Sequence, residues 1–147
     1  MTTKSAITSL YQEVLLEQAH HPSNFGELSD ATHQARGSNP LCGDQLTVQL
    51  RVKKQQIRQI KFKGSGCALC LASASLMTEV VAGQDLKKAQ KMIDEFLVFL
   101  KKPGSKKTTM PNINSKLKVF ATVAKFPVRV KCVSLPWHTL RAALASV

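Results

Sequence analysis

Gln45-Leu46-Thr47-Val48-Gln49-Leu50-Arg51-Val52 is the stretch on which the fold turns. Its apolar residues alternate strictly with polar ones, so one face is buried and the other is wet, the period of a β-strand. Lys53-Lys54-Gln55-Gln56 follows as a hairpin connection, of the longer kind because it lacks glycine. Ile57–Lys63 is the return strand, with Ile60 and Phe62 inward. Upstream, a further short strand is predicted near Thr32–Arg36. Gly37-Ser38-Asn39-Pro40 reads as loop chemistry leading into Cys42.

Helical spacing surrounds this hairpin. Ile7, Leu10, Tyr11, Val14 and Leu15 share one helical face over residues 7–18, with Ser5 or Thr8 as a cap and His21-Pro22 as the stop. Pro22-Ser23-Asn24-Phe25-Gly26 reads as a turn. After Gly64-Ser65-Gly66, a helix starting at Cys67 carries Leu69, Ala72, Leu76, Met77 and Val80, and Gly83 closes it. Asp85 caps the next helix, whose stripe is Leu86, Ala89, Ile93, Phe96, Leu97 and Leu100. Lys101–Lys107 is a basic loop. Helical spacing resumes over 113–124, and Phe126-Pro127 breaks it. Val128–Cys132 reads as a short extended connection. A last helix is then capped by Ser134, with Pro136 in its first turn and Trp137, Leu140 and Leu144 inward. A helix, then strands, then helices predicts an α+β fold: a small antiparallel sheet of about three strands with helices on one face.

The chain has 147 residues, enough for one domain with a real core, and no linker or repeat divides residues 1–147. No apolar run reaches the roughly 20 residues that span a bilayer, and the N-terminus shows no apolar signal core. A cytoplasmic setting follows, with no membrane partner and reduced thiols. The net charge of +12 raises nucleic acid as a partner, through the Lys101–Lys107 loop. With aromatics at 5% and no nucleic-acid motif, solvated basic faces that attract an acidic partner are the simpler reading.

Asn39-Pro40-Leu41-Cys42-Gly43-Asp44 puts a thiol and a carboxylate two positions apart on a turn that Gly43 sharpens. Cys67 and Cys132 would complete four ligands, a number and donor type that suit zinc. Their spacing is not that of a zinc finger, so the residues alone leave metal ligation and core packing both open. A thiol at a helix start, as at Cys67, meets free N–H groups that favour thiolate. Three thiolates, one carboxylate and Zn²⁺ sum to a negative site. Arg129 and Lys131 are the nearby cations in sequence, and a solvated strand edge is the plain alternative for both. The histidines His20, His21, His33 and His138 read as surface or capping residues.

Several segments together resemble one family. They are Leu10-Tyr11-Gln12-Glu13-Val14, Pro22–Gly26, Asn39–Asp44, Gly64-Ser65-Gly66-Cys67, Ala72-Ser73-Ala74-Ser75-Leu76-Met77-Thr78 and Phe126-Pro127-Val128-Arg129-Val130-Lys131-Cys132. From about Leu10 to Leu144 the chain is similar to the IscU/NifU-like iron–sulfur cluster assembly proteins. It looks most like the SufU-type branch, because Lys131 stands where IscU-type scaffolds have histidine and because of the extra segment at about residues 100–116. The resemblance implies an IscU/SufE-like fold and a zinc site of Cys42, Asp44, Cys67 and Cys132. It also implies a cysteine desulfurase as partner, with Cys42 as the sulfur acceptor rather than a stand-alone enzyme. Cys42 would leave the metal during transfer, given mobility over Gly37–Gly43, while Arg129 pairs with Asp44 or with the released thiolate. The alternative is a scaffold on which the same four residues hold a 2Fe–2S cluster for other assembly proteins or apo-proteins.

Two features depart from the family. Cys70 makes Cys67-Ala68-Leu69-Cys70 and reads as a core cysteine ahead of a resolving thiol or alternative ligand. Lys116 and Lys118 stand where more acidic character is expected.

Overall fold

A computed structural model describes residues 3–101 and 114–146, with side chains from residue 10 onward. The predicted hairpin is its centre. Strands β1 (His33–Asn39), β2 (Asp44–Lys53) and β3 (Gln56–Ser65) form a three-stranded antiparallel sheet in the order β1-β2-β3. Leu46, Val48, Leu50, Ile57, Ile60 and Phe62 are buried on its inner face. Ile57 and Ile60 lie an odd number of residues apart yet both point inward. The register shift between Arg51 and Val52 makes this work, since one extra residue on β3 restores the face.

The β2–β3 turn is tighter than expected. Lys53 pairs with Gln56, leaving Lys54 and Gln55 alone at the turn, with φ of 54° and 64°. Left-handed conformations cost non-glycine residues roughly 1–2 kcal/mol each. Backbone hydrogen bonds from a neighbouring segment offset this, at about 0.5–1.5 kcal/mol apiece. Leu86 N–H donates to Gln55 O, Ile57 N–H to Gln84 O, and Gly83 N–H to Ile57 O. The brace belongs to the α2–α3 corner, so the turn sequence does not announce it.

β1 also runs longer than the predicted Thr32–Arg36. Gly37, Ser38 and Asn39 pair with Leu46, Gln45 and Asp44. Gly37 is there for clearance: a Cβ on it would fall 2.0 Å from Thr139 Oγ1 on the helix above. The glycine that suggested a loop is where a helix presses on the sheet.

Four α-helices, α1 (Thr3–His20), α2 (Ala68–Val81), α3 (Leu86–Lys101) and α4 (Pro127–Ala145), and a 3₁₀ helix (Ser115–Lys125) complete the described chain. α1 stops before Pro22 as predicted, but Ser5 and Thr8 lie inside it and cannot cap it. Asp85 Oδ1 accepts from Lys88 N–H at 2.6 Å and caps α3 as expected. The stretch predicted as a helix over 113–124 winds as the tighter 3₁₀ form, capped by Asn114, whose side chain accepts from Lys116 N–H. Residue 113 and the Lys101–Lys107 loop beyond Lys101 lie outside the described residues, as does most of the segment at about 100–116. None of the described helices is long and apolar enough to cross a membrane.

The main correction concerns α4. Val128–Cys132 is not extended, and Ser134 is no cap: the helix already begins at Pro127 and both lie within it. Proline suits a first helical position, where its missing N–H would be unpaired anyway. The stripe of Val133, Trp137, Leu140 and Leu144 continues back to Val130 at helical spacing. Pro136 is therefore interior, and it has no N–H to offer the carbonyl of Cys132 one turn earlier.

α4 lies over β1 and β2, and α2 lies over β3. Ser73 ties these helices together, accepting from Trp137 Nε1–H at 3.1 Å and donating to Val133 O at 2.5 Å. Phe96 joins α3 to them, with its ring centroid 4.5 Å from that of Trp137 and 5.8 Å from that of Phe120. α1 and the turn after it reach α2 through Ser75–Gln18, Ser23–Glu79 and Asn24–Thr78 hydrogen bonds. Lys116 pairs with Glu79 at 2.9 Å, so this departure from the expected acidic character anchors the 3₁₀ helix.

Candidate metal centre

Two loop-to-strand or loop-to-helix junctions and one helix meet at one end of the sheet. The first is the turn Pro40–Gly43, closed by Cys42 N–H donating to Asn39 O at 3.1 Å. Gly43 takes φ 70°, which turns the chain sharply between Cys42 and Asp44. Asp44 opens β2 and is fully buried. The second is Gly66-Cys67, where Cys67 takes the N-cap position of α2, as predicted. The third is the second turn of α4, which carries Cys132.

Cys132 Sγ lies 3.3 Å from Cys42 Sγ. Ligand atoms of Cys42, Asp44 and Cys132 all fall within 4.8 Å of one another. Two thiolates on one tetrahedral zinc sit about 3.8 Å apart, given Zn–S bonds of roughly 2.3 Å. The sulfur pair thus needs a shift of only a few tenths of an ångström to straddle such an ion. Cys67 is outside that mutual set, but it borders it. Its backbone N–H donates to Asp44 Oδ1 at 2.9 Å.

Asp44 is the strongest sign that the pocket is built for a cation. Removing a carboxylate from water costs several kcal/mol. A single hydrogen bond to a charged group returns about 1.5–3 kcal/mol. Asp44 Oδ2 is buried with no hydrogen-bond partner at all. A cation that bonds this oxygen would close the deficit. Gly66 keeps the carboxylate in place by being small: a Cβ there would fall 2.7 Å from Asp44 Oδ1.

Burial, followed by hydrogen bonding with Cys42, Cys67 and Asp44, pushes the Cys132 thiol far above the usual thiol range. Without a positive ion Cys132 therefore holds its proton. The site's donor set of soft thiols and one carboxylate fits zinc, and the thiols also fit iron in a cluster.

Arg129 takes a different place from the expected one. Its guanidinium stacks 4.7 Å from the centroid of the Phe126 ring and is not paired with Asp44. It borders a groove of about 610 Å³ that runs over Cys67 and Cys132 between Tyr11, Leu15, Leu16 and Phe126. Lys131 is exposed. Cys70 is fully buried in α2, and burial, with the charges of Asp44, Cys67 and Cys42, pushes its thiol up well beyond the ordinary range. None of His20, His21, His33 and His138 joins the donor set; His33 Nδ1 lies 2.8 Å from Thr32 Oγ1.

The fold has known counterparts. Residues 10–133 match the NifU-like N-terminal domain. This chain belongs to the NifU-like N-terminal domain family. Among relatives within reach of this NifU-like chain is an iron–sulfur cluster assembly scaffold protein IscU from Thermotoga maritima. It is 32% identical over 138 residues, covering 94% of each chain. The zinc-dependent sulfurtransferase SufU of Bacillus subtilis is 29% identical over 145 residues, covering 99% of this chain and 96% of the relative. A crystal structure from Fervidobacterium islandicum, described as a candidate scaffold protein of the SUF system, superimposes with a TM-score of 0.80. It has 29% identity and covers 92% of this chain and 97% of its own. The three-stranded sheet with its helices is thus the fold of the IscU- and SufU-like proteins.

Proposed function

We propose that this NifU-like protein serves iron–sulfur cluster assembly by accepting persulfide sulfur from a cysteine desulfurase on Cys42, at a zinc site formed with Asp44, Cys67 and Cys132. The observation that carries the reading is the buried, half-partnered Asp44 carboxylate beside two sulfurs at 3.3 Å. Zinc bound there would supply the positive charge that keeps the thiols ionised.

The four residues divide the work by where they sit. Asp44 is on β2 and Cys132 is on α4, so both are held by the core. Cys67 is fixed by its N–H bond to Asp44. Cys42 alone lies on a turn, next to Leu41, which is 76% exposed. The mobile part is Pro40–Gly43 rather than the whole of Gly37–Gly43, because Gly37–Asn39 belong to β1. Cys42 is the thiol that can reach a donor without disturbing the core.

In the transfer step the Cys42 thiolate attacks the outer sulfur of the donor's cysteine persulfide. A new S–S bond forms on Cys42, the donor's S–S bond breaks, and the donor cysteine leaves as thiolate. No net oxidation occurs. The apolar groove beside Cys67 and Cys132 supports the docking of a partner, and Arg129 on its border offers charge to a departing thiolate.

The second reading is a scaffold that receives a 2Fe–2S cluster as cargo on the same residues and passes it to apo-proteins. It is favoured by the thiols being gathered in one place. Lys131, which replaces a histidine of IscU-type scaffolds beside the site, favours sulfur transfer. A single turnover with a desulfurase loaded with labelled sulfur decides. Label on Cys42, lost in Cys42→Ala, together with stoichiometric zinc in the purified protein, is the expected result. No label on Cys42, with a coloured cluster that survives gel filtration, would instead establish the scaffold.

A further inference from the structure

The outward face of the sheet is basic in a way the cysteine site does not use. Strand register sets its rows. Arg36, Thr47 and Lys63 stand side by side across β1, β2 and β3, as do Ser38, Gln45 and Ser65 in the next row. These six residues line a cleft of about 570 Å³. The following row is Gln34, Gln49 and Lys61, and Gln49 Nε2–H donates to Gln34 Oε1. Further along, Arg51 continues the positive charge.

The segment between α1 and β1 already crosses part of this face, with Leu28 N–H donating to Gln49 Oε1 at 2.8 Å. Glu27 pairs with Lys63, and Asp30 pairs with Arg51 at 3.4 Å. Among the described residues, Arg36 and Lys61 have no carboxylate within salt-bridge distance. Arg36 is exposed, with hydroxyl and amide donors on the strand beside it.

We infer that this face docks an acidic segment of a partner protein, with a carboxylate seated on Arg36 beside the Thr47 hydroxyl opposite it. Two observations favour protein over nucleic acid. No aromatic ring stands on the outward rows to stack a base. Glu27 and Asp30, on the segment that crosses the face, would repel a continuous phosphate backbone, whereas a protein surface of mixed charge can match them. Position gives the pad its meaning. At the sheet's end Asp44 points inward to the cysteines and Gln45, its neighbour, points outward to the cleft. The groove over Cys67 and Cys132 is on the helical side. An acidic partner on the pad and a sulfur donor at the groove would therefore approach from opposite faces, and both could be held at once.

The test titrates a fluorescein-labelled oligoglutamate peptide against the full chain, with a single-stranded oligonucleotide of equal charge in parallel. The expected result is peptide binding that weakens with added salt and falls about tenfold or more in Arg36→Glu/Lys61→Glu. The reference variant Lys87→Glu/Lys91→Glu, on α3, keeps wild-type affinity. Amide shifts on peptide addition should concentrate at Arg36, Thr47 and Lys63. Equal weakening in the α3 variant would overturn the pad, because net charge alone would then explain binding. Tighter binding of the oligonucleotide, lost in the pad variant, would overturn the acidic protein as its occupant. Should the double reversal fail to fold, Arg36→Gln/Lys61→Gln carries the same comparison, and binding unchanged in that variant counts against the proposal.

Discussion

The sulfurs of Cys42 and Cys132 stand 3.3 Å apart although 90 positions separate them in the chain. One is on a turn at the end of the sheet, and the other is in a helix that crosses that sheet. Only the packing of α4 on β1 brings them together, and that packing depends on a glycine.

Gly37 is the first residue to change. A methyl on it would fall 2.0 Å from Thr139 Oγ1 and 3.2 Å from Leu135 Cδ1, so α4 must shift. Overpacking of this kind costs about 1–3 kcal/mol. Gly37→Ala is expected to lower the urea midpoint accordingly, and Thr139→Ala in the same chain should recover part of the loss. Full additivity of the two substitutions would show that the residues do not press on each other.

Asp44 carries the metal prediction. Asp44→Ala removes a donor oxygen and the acceptor for Cys67 N–H. Zinc affinity, read by competition with a chromogenic chelator, should drop by at least about tenfold. Asp44→Asn keeps an acceptor for Cys67 but loses the charge, so it should fold as well as the parent and still bind zinc weakly. Wild-type zinc affinity in Asp44→Asn would remove the carboxylate from the ligand set.

Cys70 predicts a difference in reactivity. Its thiol is fully buried, and that burial, reinforced by Asp44, Cys67 and Cys42, raises it beyond the usual range. In native metal-free protein, iodoacetamide should modify the half-buried Cys42 well before Cys70. Mass spectrometry of timed samples reads the order. Comparable labelling of Cys70 would mean that the first turn of α2 opens readily.

Glu79 predicts the acid limb of stability. Burial raises its pKa, but hydrogen bonds from Ser23 and Lys116 and the charge of Lys116 outweigh this and hold it below the usual glutamate range. A carboxylate whose pKa is depressed by folding stabilises above its unfolded pKa, and the contribution fades as pH falls through the folded value. Stability should therefore decline below about pH 4.5, and Glu79→Gln should flatten part of that decline. Parallel pH curves for the two proteins would assign the acid sensitivity to other groups.

Much of this molecule was legible in local patterns. Alternation in Gln45–Val52 gave the central strand, because one residue in two must face a core. Helical spacing located α2 and α3, and the glycines and Asp85 marked their ends. What escaped were features whose cause lies elsewhere in the chain. Lys54 and Gln55 hold a turn that favours glycine because the 83–86 segment braces it. Val128–Cys132 reads as an extended connection when its alternating residues are taken alone, yet Pro127 starts a helix whose buried side rests on β1 and β2.

By itself, then, the sequence determined the sheet's inner face, the order of the elements and which residues have the chemistry of metal donors, since each of these depends on neighbours within a few positions. Tertiary structure alone decided that Cys42, Asp44 and Cys132 share one pocket, that Arg129 faces Phe126 instead of Asp44, and that Gly37 serves clearance instead of a loop. Those outcomes rest on contacts between segments far apart in the chain, where distance and burial, not residue type, determine what a side chain meets.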